Sequence, residues 1–124
     1  MRIIQLMTVL LLAAAGTASA QAKKGTLAAA KISVPTVQCE ECSQKIERFV
    51  GHEEGVQSIK VDWKHKTATV KYFTDRTNIE NVKTAIANTG FDADNVTADK
   101  EAYDKLPLCC KKPEDGGGMP DKKH

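Results

Sequence analysis

Several motifs that would mark an enzyme or a nucleic-acid-binding protein are missing from this sequence. Its 18 basic and 16 acidic residues leave a formal net charge of +2, without a basic cluster, so the charge pattern does not indicate a nucleic-acid partner. No phosphate-binding loop, paired-acid motif or nucleophile–base pattern is visible, and we expect a protein that is not an enzyme. The 124 residues contain no internal repeat and have room for one small domain.

The first twenty residues have the pattern of a secretory signal peptide. Arg2 supplies a positive charge, residues 3–16 are mostly apolar, and residues 18–20 (ASA) form a small-residue cleavage site. The apolar run is short for a membrane span, which needs about 20 residues. No cysteine precedes Cys39, so the cleavage site has no cysteine to carry a lipid. We therefore predict cleavage near Ala20 and a periplasmic or secreted protein, whose cysteines are prone to oxidation.

Alternating apolar residues predict four strands between the two ends of the chain. Ile32 and Val34 alternate in the first strand, where Pro35 indicates an edge position or a bend. Lys64 and His65 separate the second strand from the third, which predicts a hairpin. The predicted strands cover residues 31–37, 56–63, 66–73 and, as the weakest, 91–96.

Apolar residues at helical spacing predict two helices in the same region. The first covers residues 43–52, where Ile46, Phe49 and Val50 form one apolar stripe. The second begins at a capping box that starts with Thr77.

The order of these elements predicts an α+β fold. Gly90 ends the second helix, and residues 98–106 predict a short C-terminal helix before Pro107. Strand, helix, strand, strand, helix, strand is the ferredoxin-like βαββαβ arrangement, an antiparallel four-stranded sheet with two helices on one face. We divide the chain into a signal peptide (1–20), a leader (21–30), the βαββαβ domain (31–97), a C-terminal helix with a Cys-Cys extension (98–112) and a disordered tail (113–124).

Cys39 and Cys42 form a CxxC motif where the first helix is predicted to start. The spacing lets both sulfur atoms face one centre, and a helix N-terminus stabilises thiolates. Two thiolates are a soft donor pair, suited to Cu(I), Zn(II) or another thiophilic ion. A disulfide between them would exclude an ion, because its sulfurs are only about 2.05 Å apart. We expect reduced sulfurs that hold the ion at an accessible corner, with Glu40 and Glu41 solvated.

Cys109 and Cys110 form a second pair, outside the predicted domain. They are candidates for additional metal ligands in a three- or four-thiolate site, for a separate soft-metal site, or for a resolving pair in thiol exchange. A structural disulfide, a link between chains and the absence of any special role are the other interpretations. We expect the remaining potential donors at the surface or in the tail, namely His52, His65, Met119 and His124.

The chain resembles the heavy-metal-associated domain family over residues 31–97. The resemblance depends on the CxxC motif, on Gly55 and Val56 at the start of the second strand, and on the segment 89–91 (TGF). It implies one soft ion, Cu(I) or Hg(II) first and Zn(II) next, bound by the CxxC cysteines. It also implies that Phe91 packs beneath the metal loop.

The same resemblance implies a carrier or scavenger that passes its ion by ligand exchange to a metal-transporting membrane protein or another CxxC domain. The chain would act as a monomer or a metal-bridged dimer. Two alternatives stay open at this point. A CxxC motif in an exported chain is also typical of a thiol–disulfide oxidoreductase, although no Trp precedes Cys39. The other alternative is a small structural or interaction module in which a Cys39–Cys42 disulfide only stiffens a loop.

Overall fold

A computed structural model describes residues 26–117. The predicted signal peptide, residues 21–25 of the leader, Met119 and His124 lie outside the described residues. Within them, the chain forms an antiparallel sheet of three strands in the order β1-β3-β2. The elements are β1 (Leu27–Ser33), α1 (Glu40–Val50), β2 (Val56–Asp62), β3 (Thr67–Phe73), α2 (Ile79–Asn88), α3 (Lys100–Asp104), and 3-10 helices at Leu108–Cys110 and Pro113–Asp115.

The sheet buries one face against the helices. Alternate residues of each strand point into one apolar cluster with the inner faces of α1 and α2, so the alternation seen in the sequence corresponds to a sheet covered on one side. Helix α1 is also fixed to the sheet by a hydrogen bond from the Val61 backbone N–H to Glu47 Oε1, at 2.9 Å. The main members of the cluster are Ile32, Ile46, Val50, Val61, Ala68, Val70, Val82, Ile86 and Phe91.

The predicted α+β fold is confirmed, but a fourth strand is not. In the described part of the chain, residues 91–96 form only an isolated bridge between Ala93 and Val96. Asp94 has a positive φ of 50°, so the segment turns back on itself. Its N–H donates to Ser33 O at 2.8 Å, and its carboxylate accepts from Ser33 N at 2.7 Å. One backbone bond and one side-chain bond of a single residue, Asp94, therefore take the place of a strand ladder at the end of β1.

Several element boundaries differ from the sequence prediction. Strand β1 begins at Leu27, inside the predicted leader, and ends before Pro35, which lies in a turn. Helix α1 begins at Glu40 rather than at residue 43. The buried face of this helix includes Cys42, whereas Phe49 is 55% exposed. The expectation that Phe49 belongs to the apolar stripe is therefore wrong.

The N-cap of the second helix lies one residue later than predicted. Asn78, not Thr77, is the N-cap of α2, and its side chain accepts a hydrogen bond from Asn81 N at 2.9 Å. At the other end Gly90 follows the C-cap with a φ of +106°. Gly90 thus ends the helix as predicted, because a positive φ suits glycine best.

The C-terminal helix is shorter than predicted. Helix α3 spans five residues and is capped by the Asp99 side chain, which accepts from Ala102 N at 2.9 Å. The chain then continues through both 3-10 helices, the second of which lies inside the predicted tail. There Tyr103 Oη accepts a hydrogen bond from Lys112 N at 2.9 Å and donates to Asp115. Residues 118–124 of the predicted tail lie outside the described residues.

Candidate metal site

The loop between β1 and α1 is anchored at several points, which fixes the position of the CxxC motif. Val34 N donates to Lys66 O at 2.9 Å, and the ammonium group of Lys66 donates to Val37 O. The hydroxyl of buried Thr36 accepts from Asp92 N at 3.0 Å. Phe91 is fully buried in the same cluster as Val37 and both CxxC cysteines, which agrees with the packing that the resemblance implied.

Cys39 and Cys42 lie at the N-terminus of α1. Cys39 is the N-cap residue and Cys42 the third residue of the helix, so the CxxC spacing brings their Sγ atoms to 3.2 Å. The helix dipole there favours negative charge on sulfur. Glu40 and Glu41, in the first turn, are exposed as expected.

Cys42 forms a disulfide with Cys110, with a Cα–Cα distance of 5.6 Å. Cys39 is a free thiol but only 6% exposed, and Cys42 is fully buried. The expectation of two reduced sulfurs at an accessible corner is therefore wrong for this state of the protein. The physical reason is the C-terminal segment, residues 98–117, which folds back over the N-terminus of α1 and covers it.

The C-terminal segment docks on the domain through contacts that do not involve sulfur. Asp99 N donates to Ala87 O at 2.9 Å, at the end of α2. Leu106 is only 4% exposed and belongs to the core cluster. A Cβ on Gly90 would lie 3.1 Å from the backbone of Ala102, so the missing side chain at Gly90 lets α3 approach closely.

Cys109 and Cys110 have different surroundings although they are neighbours. Cys110 is 1% exposed, whereas Cys109 is half-buried. Cys109 Sγ donates to Glu41 Oε2 at 3.4 Å. Burial, this hydrogen bond and the Cys39 thiol raise the pKa of Cys109 to about 11. Cys109 is therefore held as a neutral thiol in this state, since the nearby carboxylate opposes a second negative charge.

Three buried cysteines meet at the site. One sulfur each from Cys39, Cys42 and Cys110 lies within 4.8 Å of the other two. The sequence indicated the first two by their spacing, but no local signal distinguished Cys110 from Cys109. His65 lies elsewhere, 2.7 Å from Asp62 in the β2–β3 turn, and the site also lacks His52, which bonds to the Arg48 carbonyl on α1.

None of the helices in residues 26–117 has both the length and the apolar character that crossing a bilayer requires.

The chain is a small ferredoxin-type α+β domain that carries two cysteines at the start of its first helix, with their Sγ atoms 3.2 Å apart. Residues 31–92 match the model of the Heavy-metal-associated domain, and the chain belongs to this family. The C-terminal segment with Cys109 and Cys110 lies beyond the matched residues.

Solved structures share the fold. Oxidized MerP from Ralstonia metallidurans CH34 is 22% identical, with a TM-score of 0.53 over 55% of this chain and 94% of that one. A structure described as "CopZ metallochaperone" is 23% identical, with a TM-score of 0.51 over 53% and 98%.

Curated relatives are more similar in sequence. A copper-exporting P-type ATPase of Staphylococcus epidermidis is 31% identical over 70 residues, which are 56% of this chain but only 9% of the ATPase. A COP-associated protein of Helicobacter pylori is 36% identical over 61 residues, 49% of this chain and 91% of that protein.

Proposed function

We propose that this chain is an exported carrier or scavenger of a soft metal ion, Cu(I) or Hg(II), which it binds through Cys39 and Cys42. The observation that carries the proposal is the 3.2 Å approach of the two sulfur atoms at the N-terminus of α1. Soft thiolates prefer thiophilic ions, and the positive end of the helix stabilises the anionic sulfurs. The name of the ATPase relative refers to copper, which supports Cu(I) as one cargo.

Ion binding by this protein requires reduction first. The Cys42–Cys110 disulfide uses one of the two proposed ligands, and a disulfide sulfur has no thiolate charge to offer. An external dithiol can reduce this bond: it gives up two electrons and two protons, becomes a disulfide itself, and leaves Cys42 and Cys110 as thiols. The ion then moves between proteins by ligand exchange, in which a partner's thiolate bonds to the metal as one of this chain's thiolates leaves. A metal-transporting membrane protein or another CxxC domain is the partner that this chemistry fits.

Metal titration of the reduced protein without its first twenty residues tests the proposal. We expect about one equivalent of Cu(I) or Hg(II) to bind tightly, and Cys39→Ser combined with Cys42→Ser to abolish tight binding. His52→Ala combined with His65→Ala is the matched control and should change nothing, because both histidines lie outside the site. Unchanged stoichiometry in the double cysteine variant would refute the proposal.

Thiol–disulfide oxidoreductase activity is the rival function, because a free thiol, Cys39, lies beside the Cys42–Cys110 disulfide. The match of residues 31–92 to the Heavy-metal-associated domain favours metal binding over this rival. Burial does not separate the two functions, because ligand exchange also requires a partner to reach sulfurs that are 6% and 0% exposed. An insulin-reduction assay separates the two functions. Robust turnover by the wild type, lost in Cys39→Ser, would favour the oxidoreductase.

A further inference from the structure

The site holds one sulfur more than the CxxC motif supplies. Cys39, Cys42 and Cys110 place their Sγ atoms within 4.8 Å of one another, and all three are buried. An ion with three equal metal–sulfur bonds of about 2.3 Å spaces its sulfurs about 4.0 Å apart. To reach this spacing after reduction, the Cys42 and Cys110 sulfurs must separate by about 2 Å from bonding distance. The Cys39 and Cys42 sulfurs, now 3.2 Å apart, must separate by about 0.8 Å.

Cys110 is held near the other two sulfurs independently of the disulfide. The burial of Leu106, the backbone bond from Asp99 to Ala87 and the close approach at Gly90 dock the C-terminal segment from residue 99 onward. Cys110 N also donates to Pro107 O at 2.8 Å, inside the 3-10 turn that points its side chain inward. We expect this placement to persist when the sulfur–sulfur bond is reduced.

We propose that Cys110 is a third metal ligand and that the reduced protein holds a divalent thiophilic ion, of the Hg(II) type, between three buried thiolates. This inference rests on the proposed function and deepens it by naming the ion class and the ligand set. Three thiolates leave a net charge of −1 with a divalent ion but −2 with Cu(I). Burial penalises net charge, which favours the divalent ion.

Cys109 offers a matched control for Cys110. The two residues are adjacent, but the Cys109 sulfur is half-buried and bonded to Glu41 at the surface. Serine at either position removes one thiol from the same 3-10 helix. A difference between the two variants therefore reports where the sulfur lies rather than how many thiols the chain contains.

X-ray absorption spectroscopy of the Hg(II)-loaded protein tests the inference. A phosphine first reduces the disulfide to two thiols and becomes the phosphine oxide with oxygen from water, after which one equivalent of Hg(II) is added without air. We expect three sulfur neighbours in the wild type and in Cys109→Ser, and two at shorter distance in Cys110→Ser.

In competition with a small dithiol, Cys110→Ser should bind Hg(II) at least about 100-fold more weakly, since even outer-shell partners contribute 10–100-fold. Its loss of Cu(I) affinity should be smaller, and equal losses for both ions would overturn the assignment to a divalent ion.

Two outcomes separate this inference from the proposed function. Two sulfur neighbours in the wild type would overturn the third ligand and leave Cys39 and Cys42 as the binding pair. Three neighbours retained in Cys110→Ser would overturn it as well. Tight binding that survives the Cys39→Ser, Cys42→Ser change would instead refute the proposed function. If Cys110→Ser fails to fold, the wild-type sulfur count decides alone.

Discussion

Residues 31–92 and the C-terminal segment, residues 98–117, contribute to one site but are built on different principles. The first region carries the family match and has regular strands and helices with clear apolar periodicity. The second lies beyond that match and has one five-residue helix and two 3-10 helices. Yet the second region determines access to the sulfurs of the first. Family membership therefore predicts the position of the CxxC motif but not the C-terminal segment that buries it.

The largest expected effect on stability comes from removing the disulfide that joins the two regions. We expect Cys110→Ser to lower the free energy of unfolding of the oxidised protein by about 4 kcal/mol, because the bond links residues 68 apart and restricts the unfolded chain. Urea unfolding measures the change. Cys109→Ser should cost less than about 0.5 kcal/mol. Equal effects of the two substitutions would contradict the observed pairing.

The next test asks whether the C-terminal segment docks without the disulfide. In reduced protein we expect Leu106→Ala to cost about 3 kcal/mol, the usual range for a buried leucine, since Leu106 is 4% exposed. Leu108, at 64% exposure, is the control, and Leu108→Ala should have little effect. If urea unfolding gives the two variants the same stability, the segment does not pack on the reduced domain.

A third test concerns the close approach of α3 to the end of α2. Gly90→Ala should cost about 2 kcal/mol or more, because a positive φ alone costs about 1–2 kcal/mol for a side chain and the new Cβ would meet Ala102 at 3.1 Å. Gly116 also has a positive φ, of 84°, but has open space around it. Thermal unfolding of Gly116→Ala isolates the backbone effect, and the remainder in Gly90→Ala measures the contact between the two regions.

The smallest expected effect is a change in the pKa of Cys109, which lies where the two regions meet. Glu41→Gln removes the carboxylate that helps to raise the pKa of Cys109 to about 11, so that pKa should fall toward 9.0. Alkylation of Cys109, followed by mass spectrometry against pH, should then reach half its maximal rate at lower pH. Glu40→Gln is the control. A profile unaltered by Glu41→Gln would contradict the contact.

Local patterns in the sequence were sufficient for most of the domain. Alternation and helical spacing depend on neighbouring residues, so three strands, the β2–β3 hairpin and both longer helices could be predicted. The fourth strand could not be excluded this way, since Phe91 and Ala93 are both buried and alternate as strand residues do. What prevents the strand is the turn at Asp94, whose positive φ and bonds to Ser33 leave no mark in the apolar pattern.

The site was predictable only where its residues are close in sequence. Cys39 and Cys42 follow from their spacing, because a helix start places residues three apart on one side. The partner of Cys42 depends on which of two adjacent cysteines faces inward. That depends on the phase of the 3-10 helix after Pro107 and on the docking of Leu106, both of which are tertiary.

Cys110 follows Cys42 by 68 residues in the sequence, and this separation also imposes an order on biosynthesis. At about 5–20 residues per second, a ribosome adds them in about 3–14 s, and through that interval Cys39 is the only other thiol that precedes Cys42 in the nascent chain. Any bond made so early joins the wrong pair and must later be shuffled. The mature linkage is therefore a late event, formed once translation has reached the covering segment.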